Sequence, residues 1–111
     1  MDYEEARKRA LAFRDEREWA QFHNPKDLAI SLSLESAELL ELFQWSGSDV
    51  DMPGKHPEMA DELADIMIYA IFLAEGIGVD LPEAIAAKLD KNAEKYPISK
   101  ARGSSRKYTE L

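Results

Sequence analysis

Residues 31–45 read SLSLESAELLELFQW, and one position in this stretch bears on both the fold and the site. Leu28, Leu32, position 35, Leu39 and Leu42 follow a 4-3-4-3 spacing. That spacing marks the buried seam of a packed helix. Four of the five positions are leucine and the fifth is Glu35. An ionised carboxylate at a seam costs free energy unless something there pairs with it. This helix therefore has to pack against another element and bring Glu35 to a partner.

The helical period extends along the chain in both directions. Asp2 can cap a first helix expected to reach about Gln21, with Ala6, Ala10, Phe13, Arg17 and Ala20 on one face. Asn24-Pro25-Lys26-Asp27 supplies a capping Asn, a Pro at the first helical position and an acid in the first turn. The second helix is expected to run from there to Trp45 and stop at Ser46-Gly47. Residues 46–57, SGSDVDMPGKHP, read as a loop. Pro57 begins a third helix ending near Gly76 or Gly78, and Asp80-Leu81-Pro82-Glu83 opens a fourth that Pro97 stops. No run alternates like a strand and no repeat is present. The expected fold is all-α: a four-helix bundle over residues 1–97, followed by a flexible basic tail, SKARGSSRKYTEL, within 98–111.

The third helix carries an apolar seam of Met59, Leu63, Ile66, Ala70, Leu73 and Ile77, and it is also apolar at Met67, Ile68, Ile71 and Phe72. A helix apolar on most sides is enclosed on most sides. In a chain this small, that implies a bundle completed by oligomerisation, as a dimer or a tetramer built from two dimers.

Composition removes several classes of function. A chain of 111 residues reads as one domain and can bury roughly two-thirds of its unfolded surface. It has no cysteine, so disulfides and thiolate metal sites are excluded. The N-terminus MDYEEARKRA lacks the apolar core of a secretory signal. The longest mostly apolar run, Leu63 to Ala74, contains Asp65 and falls short of the about 20 residues that span a bilayer. A cytoplasmic protein with no membrane partner is expected. Net charge is −8, but residues 97–111 hold four cations against one acid, a net of +3, which leaves −11 for residues 1–96. Such a body repels nucleic acid and suits cations, or anions that arrive with cations.

Glu35 and Glu38 lie three apart on the second helix, and Glu62 and Asp65 repeat the arrangement on the third. Asp65 is the only charge in LADIMIYAIFLA, and Tyr69 and Phe72 continue its strip, so this strip also turns inward. Antiparallel packing of the two helices would converge four carboxylates that raise one another's pKa values. A hard divalent cation such as Mg²⁺ relieves that repulsion while keeping waters that substrate phosphates can replace. Spacing alone does not mark a site, because acid pairs three apart also occur at Asp2/Glu5, Asp15/Glu18, Glu58/Asp61 and Asp80/Glu83. The intrusion of Glu35 and Asp65 into apolar strips adds weight to a metal site and leaves one alternative standing. The bland alternative is a set of structural ion pairs with Arg14, Arg17 or Lys88. A di-iron carboxylate bundle needs Glu-x-x-His motifs, and Ala20 and Pro53 stand three residues before the only histidines, His23 and His56.

Glu35-Ser-Ala-Glu38, a gap of 23 residues and Glu62-Leu-Ala-Asp65 resemble the ExxE…ExxD signature of the MazG-like all-α nucleoside triphosphate pyrophosphohydrolases. FRDEREWAQFHNPKDL (13–28), ELLELFQW (38–45) and VDLPEAIAAKLDKNAEKYP (79–97) resemble the dCTP pyrophosphatase branch. The resemblance implies Mg²⁺-dependent hydrolysis of the α–β phosphoanhydride of a (deoxy)nucleoside triphosphate, dCTP above all, to the monophosphate and pyrophosphate, in house-cleaning of the nucleotide pool. It implies Glu35, Glu38, Glu62 and Asp65 as metal ligands. Glu38 and Glu41 are the candidates to hold or deprotonate the attacking water. It further implies Trp19, His23 and Trp45 at the base, and Lys88, Asn92, Lys95 and Tyr96 near the phosphates, with Arg14 as a further phosphate contact or an ion-pair partner of the acids. Read without the resemblance, the two tryptophans would be core or interface residues, His23 an exposed linker residue and Lys95 a solvated lysine near a helix end. Many family members carry a second glutamate where this chain has Leu34, which leaves the number of ions per site open. The competing function is a catalytically silent bundle that binds nucleotides or a protein partner. Its mark would be loss of one of the four acids, and all four are present.

Overall fold

In the computed structural model, which describes residues 1–111, every regular element is helical. Local capping explains most of the boundaries. The Asp2 carboxylate accepts the Glu5 N–H at 2.9 Å and the Glu5 carboxylate accepts the Asp2 N–H at 3.3 Å, a reciprocal cap that starts α1 (Tyr3–Glu16). The Asn24 side chain accepts the Asp27 N–H at 2.9 Å and starts α2 (Pro25–Glu41). The Asp80 carboxylate accepts the Glu83 N–H at 3.0 Å and starts α4 (Leu81–Lys95). Between them, α3 (His56–Ile77) follows a 3₁₀ turn at Pro53–Lys55 and ends on Gly78 at φ +70°, a left-handed cap that glycine adopts without strain. A short α5 (Ile98–Ala101) follows Pro97.

Two boundaries differ from the sequence reading. α1 ends at Glu16 instead of Gln21. Arg17 turns back, its guanidinium 3.7 Å from the Phe13 ring centroid and donating to the Phe13 carbonyl at 2.9 Å. Glu18 then takes a left-handed conformation, φ +54°, and Trp19–Phe22 forms a separate 3₁₀ turn. α2 ends at Glu41 instead of Trp45, because its last turn tightens into three-residue bonds: Phe43 N–H to Leu40 at 2.9 Å and Gln44 N–H to Glu41 at 3.1 Å.

The chain forms two units, Met1–Gly78 and Val79–Leu111. The first is built on α2 packed against α3. Leu28, near the start of α2, lies against Gly76, near the end of α3, where a Cβ would come within 3.9 Å of the leucine Cδ1. Glu35, farther along α2, meets Glu62 and Asp65, nearer the start of α3, so the two helices run antiparallel. The buried residues are Leu28, Ile71, Phe72 and Ala74. α1 docks on α3, with an Arg7–Glu75 ion pair at 2.9 Å.

The buried part of α3 is its C-terminal half, at Ile71, Phe72 and Ala74, while Glu62 and Tyr69 are half-buried and Asp65 stays exposed. The Met59–Ile77 seam is not the face that closes the core, since Leu63 is 55% and Ile77 53% exposed. With apolar residues all round α3, hydrophobic period alone cannot select the face, and the partner helices do. In the second unit, segment 98–111 turns back on α4. Tyr108 packs edge-on to Tyr96, ring centroids 6.0 Å apart, with the Lys95 ammonium 5.1 Å from its ring centroid. No helix is long and apolar enough to cross a membrane.

Candidate metal and substrate site

Antiparallel packing brings the two acid pairs together. Glu35 from α2 and Glu62 and Asp65 from α3 each present a carboxylate oxygen, and these oxygens lie within 4.8 Å of one another. Glu38, one turn beyond Glu35, lies within hydrogen-bonding reach of both Glu35 and Glu62. Two unit charges at that separation repel by about 3 kcal/mol at an effective dielectric near 20. A proton is the cheapest relief. Burial, with the hydrogen bond and charge of Glu38 and the charges of Asp65 and Glu62 behind it, pushes the Glu35 carboxyl up to about 7. Burial and Glu38 likewise raise Glu62.

Glu35 Oε2 and Glu62 Oε2 are buried and have no hydrogen-bond partner. The arginines that a structural ion-pair network would use are engaged elsewhere: Arg14 pairs with Asp15 at 2.8 Å and Arg17 with Glu16 at 3.7 Å. Two orphaned carboxylate oxygens with a third acid in reach, all hard donors, fit a divalent cation that takes oxygen ligands. Glu41 is exposed at the end of α2 and is not among the acids brought together.

A cavity of about 850 Å³ opens beside the acids. Glu35 and Asp65 line it together with Phe13, Trp19, Tyr69 and Phe72. Phe13 and Trp19 meet edge to face at 5.6 Å, and Tyr69 and Phe72 at 5.9 Å, so two aromatic pairs form its walls. The left-handed turn at Glu18 places Trp19, which stays 43% exposed. Of these walls, sequence reasoning assigned only Trp19 to substrate. The signal for Tyr69 was present in the 62-65-69-72 strip, which continues the acid pair along one helix face. Phe13 had no such signal, because its contact with Trp19 depends on where α1 ends.

His23 is half-buried, its ring 5.0 Å from that of Phe72, with Nδ1 buried and unpartnered. Burial, and secondarily the Arg14 charge, holds its pKa below the usual histidine value. Trp45 is 88% exposed past the end of α2 and does not line the cavity. Lys88, Asn92 and Lys95 belong to α4 in the second unit, with the two lysines exposed and Asn92 half-buried. Tyr96 caps that helix, donating its N–H to the Asn92 carbonyl at 2.8 Å.

The chain is thus all-α, with paired carboxylates on two antiparallel helices beside an aromatic-walled cavity. Comparison narrows the class: the chain belongs to the MazG-like family, which residues 30–111 match. It is 41% identical to dCTP pyrophosphatase 1 of Rattus norvegicus and 43% identical to that of Homo sapiens, in each case over 97% of this chain. It spans 66% of the length of each of these relatives. The crystal structure of a pyrophosphatase from Archaeoglobus fulgidus superposes with a TM-score of 0.74 at 39% identity, covering 85% of this chain and 91% of that one.

Proposed function

We propose that this chain is a Mg²⁺-dependent nucleoside triphosphate pyrophosphohydrolase. It converts a deoxynucleoside triphosphate, dCTP or a close relative, to the monophosphate and pyrophosphate, and so clears unwanted nucleotides from the pool. The observation that carries the reading is the group of carboxylates within 4.8 Å that no cation of the first unit neutralises. Family membership and the likeness to dCTP pyrophosphatase 1 and to an archaeal pyrophosphatase support it.

In this reading Glu35, Glu62 and Asp65, with Glu38, hold the ion. When bound, Mg²⁺ supplies neutralisation of the triphosphate and a lowered pKa for a coordinated water. Glu38 is the better placed of the two candidates to hold or deprotonate the attacking water, since it acts on both Glu35 and Glu62 while Glu41 is exposed at the end of α2. Trp19, with Phe13 behind it, offers a face for the base, and stacking of this kind is worth about 1–3 kcal/mol. His23, whose ring lies against Phe72, completes base recognition. For Trp45, outside the cavity, and for Lys88, Asn92, Lys95 and Tyr96, in the second unit, the roles at base and phosphates rest on the family resemblance alone. The catalytic domain is residues 1–97. The protein acts in the cytoplasm as a homo-oligomer, dimer or tetramer, which would cover Leu34 and Leu40 of α2 and Leu63 and Met67 of α3, all exposed in the single chain.

The test is pyrophosphate release from the four dNTPs, the four NTPs and a 5-modified dCTP, each with and without Mg²⁺. Magnesium-dependent release with a cytosine preference is expected. No release from any triphosphate would sink the reading.

A further inference from the structure

The segment expected to be a flexible tail forms a built feature of the second unit. α5 ends at Ala101, and Gly103 at φ +74° reverses the chain, a conformation that L side chains rarely adopt. The reversal places Lys100, before the turn, and Arg106, after it, on the wall of one open cavity of about 670 Å³, with Ser104 and Ser105 between them. The Ser104 hydroxyl accepts the Arg106 N–H at 3.2 Å and ties the turn. The Tyr108 ring against Tyr96 anchors its far side.

The charges are unusual for so acidic a chain. Lys100, Arg102, Arg106 and Lys107 form no ion pair, although the protein carries 22 acids. Glu110 also lines the cavity, yet it pairs with neither Lys100 nor Arg106. Two cations and two hydroxyls facing one concave surface suit a ligand with several negative oxygens in a row. A single phosphate can itself take both cations, but a chain of two or three phosphates adds the charge and the acceptor oxygens to engage both cations and both hydroxyls together.

We infer that the loop Lys100–Lys107 is a binding site for a polyphosphate anion, the pyrophosphate or triphosphate group of a nucleotide. Arg106 and Lys100 are its charged contacts, and the hydroxyls of Ser104 and Ser105 are its neutral ones. That the ligand is the substrate's own phosphate chain, or the pyrophosphate product, rests on the function proposed above. The anion site itself does not.

The experiment is calorimetric titration of inorganic tripolyphosphate into the full chain in magnesium-free buffer with chelator. Wild type is compared with the Lys100→Gln/Arg106→Gln double variant, with Arg106→Lys, and with Lys8→Gln/Lys55→Gln, which removes two charges elsewhere. Circular dichroism checks that each is folded. The expected result is a dissociation constant raised about 10-fold or more in the loop double variant, partly recovered in Arg106→Lys, and changed little in the distal control. Equal weakening in loop and distal variants would reduce the effect to net charge and overturn the site. So would unaltered binding in the loop variant, or binding of a single-stranded oligonucleotide in preference to tripolyphosphate. Deoxycytidine, tripolyphosphate and dCTP titrated in parallel separate a phosphate contact from a base contact, and loop-dependent binding of deoxycytidine would also overturn it. Loop-dependent tripolyphosphate binding in a chain that hydrolyses no triphosphate would uphold the site while the enzymatic reading failed.

Discussion

The carboxylates of α2 and α3 and the cations of segment 98–111 are both crowds of like charge, but they are held differently. Glu35, Glu62 and Asp65 are fixed on two packed helices, with oxygens within 4.8 Å and two of them buried without partners. Lys100, Arg102, Arg106 and Lys107 sit on a short helix and turns, exposed to solvent. Water and salt dissipate repulsion in the loop. In the acid group the helices forbid escape, and the free energy appears instead as a raised pKa. Crowding that cannot relax is the stronger sign of a cation-binding site.

If the acid group is the chemical centre, Glu35→Gln should lower pyrophosphate release by about 10³-fold, as losses of key electrostatic contacts in active sites do. The variant should stay folded, and it should melt a few degrees higher than wild type in magnesium-free buffer at pH 8, because one repelling charge is gone. Unfolding that Mg²⁺ does not rescue would instead assign Glu35 a structural pairing role and erase the contrast with the loop.

Phe72 tests the rigidity behind the contrast. It is 4% exposed and touches both His23 and Tyr69. Phe72→Ala should cost about 3–5 kcal/mol in urea unfolding, whereas truncating an exposed loop residue such as Lys107 should cost almost nothing. A smaller effect is expected from the cation itself. Saturation of the acid group with Mg²⁺ at about 100 times its dissociation constant should stabilise the fold by roughly 2.7 kcal/mol, read as a concentration-dependent rise in Tm. A structural ion-pair network would be indifferent at equal ionic strength.

Trp19→Ala should raise KM for the preferred triphosphate by an amount corresponding to about 1–3 kcal/mol, with a lesser change in kcat, if its face carries the base. The pH response is the subtlest. The Glu35 carboxyl is raised from 4.5 to about 7, so between those values the native state binds more protons than the unfolded chain. Its contribution to stability is therefore complete below about pH 4.5 and is lost as the pH rises through about 7. Melting of the metal-free protein across that range should show the decline, and Glu35→Gln should flatten it.

Caps, the four long helices and the acid pairs were legible from sequence because each depends on residues three or four apart, whereas the short α5 was not. Asp2 with Glu5, Asn24 with Asp27 and Asp80 with Glu83 form their bonds within one turn, whatever the rest of the chain does. The intrusion of Glu35 into a leucine seam was likewise visible, and the antiparallel fold brings it to Glu62 and Asp65. Which face of α3 closes the core was a tertiary matter. The helix is apolar all round, and packing buries Ile71, Phe72 and Ala74 while it leaves Leu63 and Ile77, the outer positions of the expected seam, exposed. The end of α1 was decided in the same way, by Arg17 folding over Phe13 and Glu18 turning left-handed, and that turn set Trp19 beside Phe13 as a cavity wall. Local bonds are written in local sequence, whereas a face or a wall exists only once a second element arrives to define it.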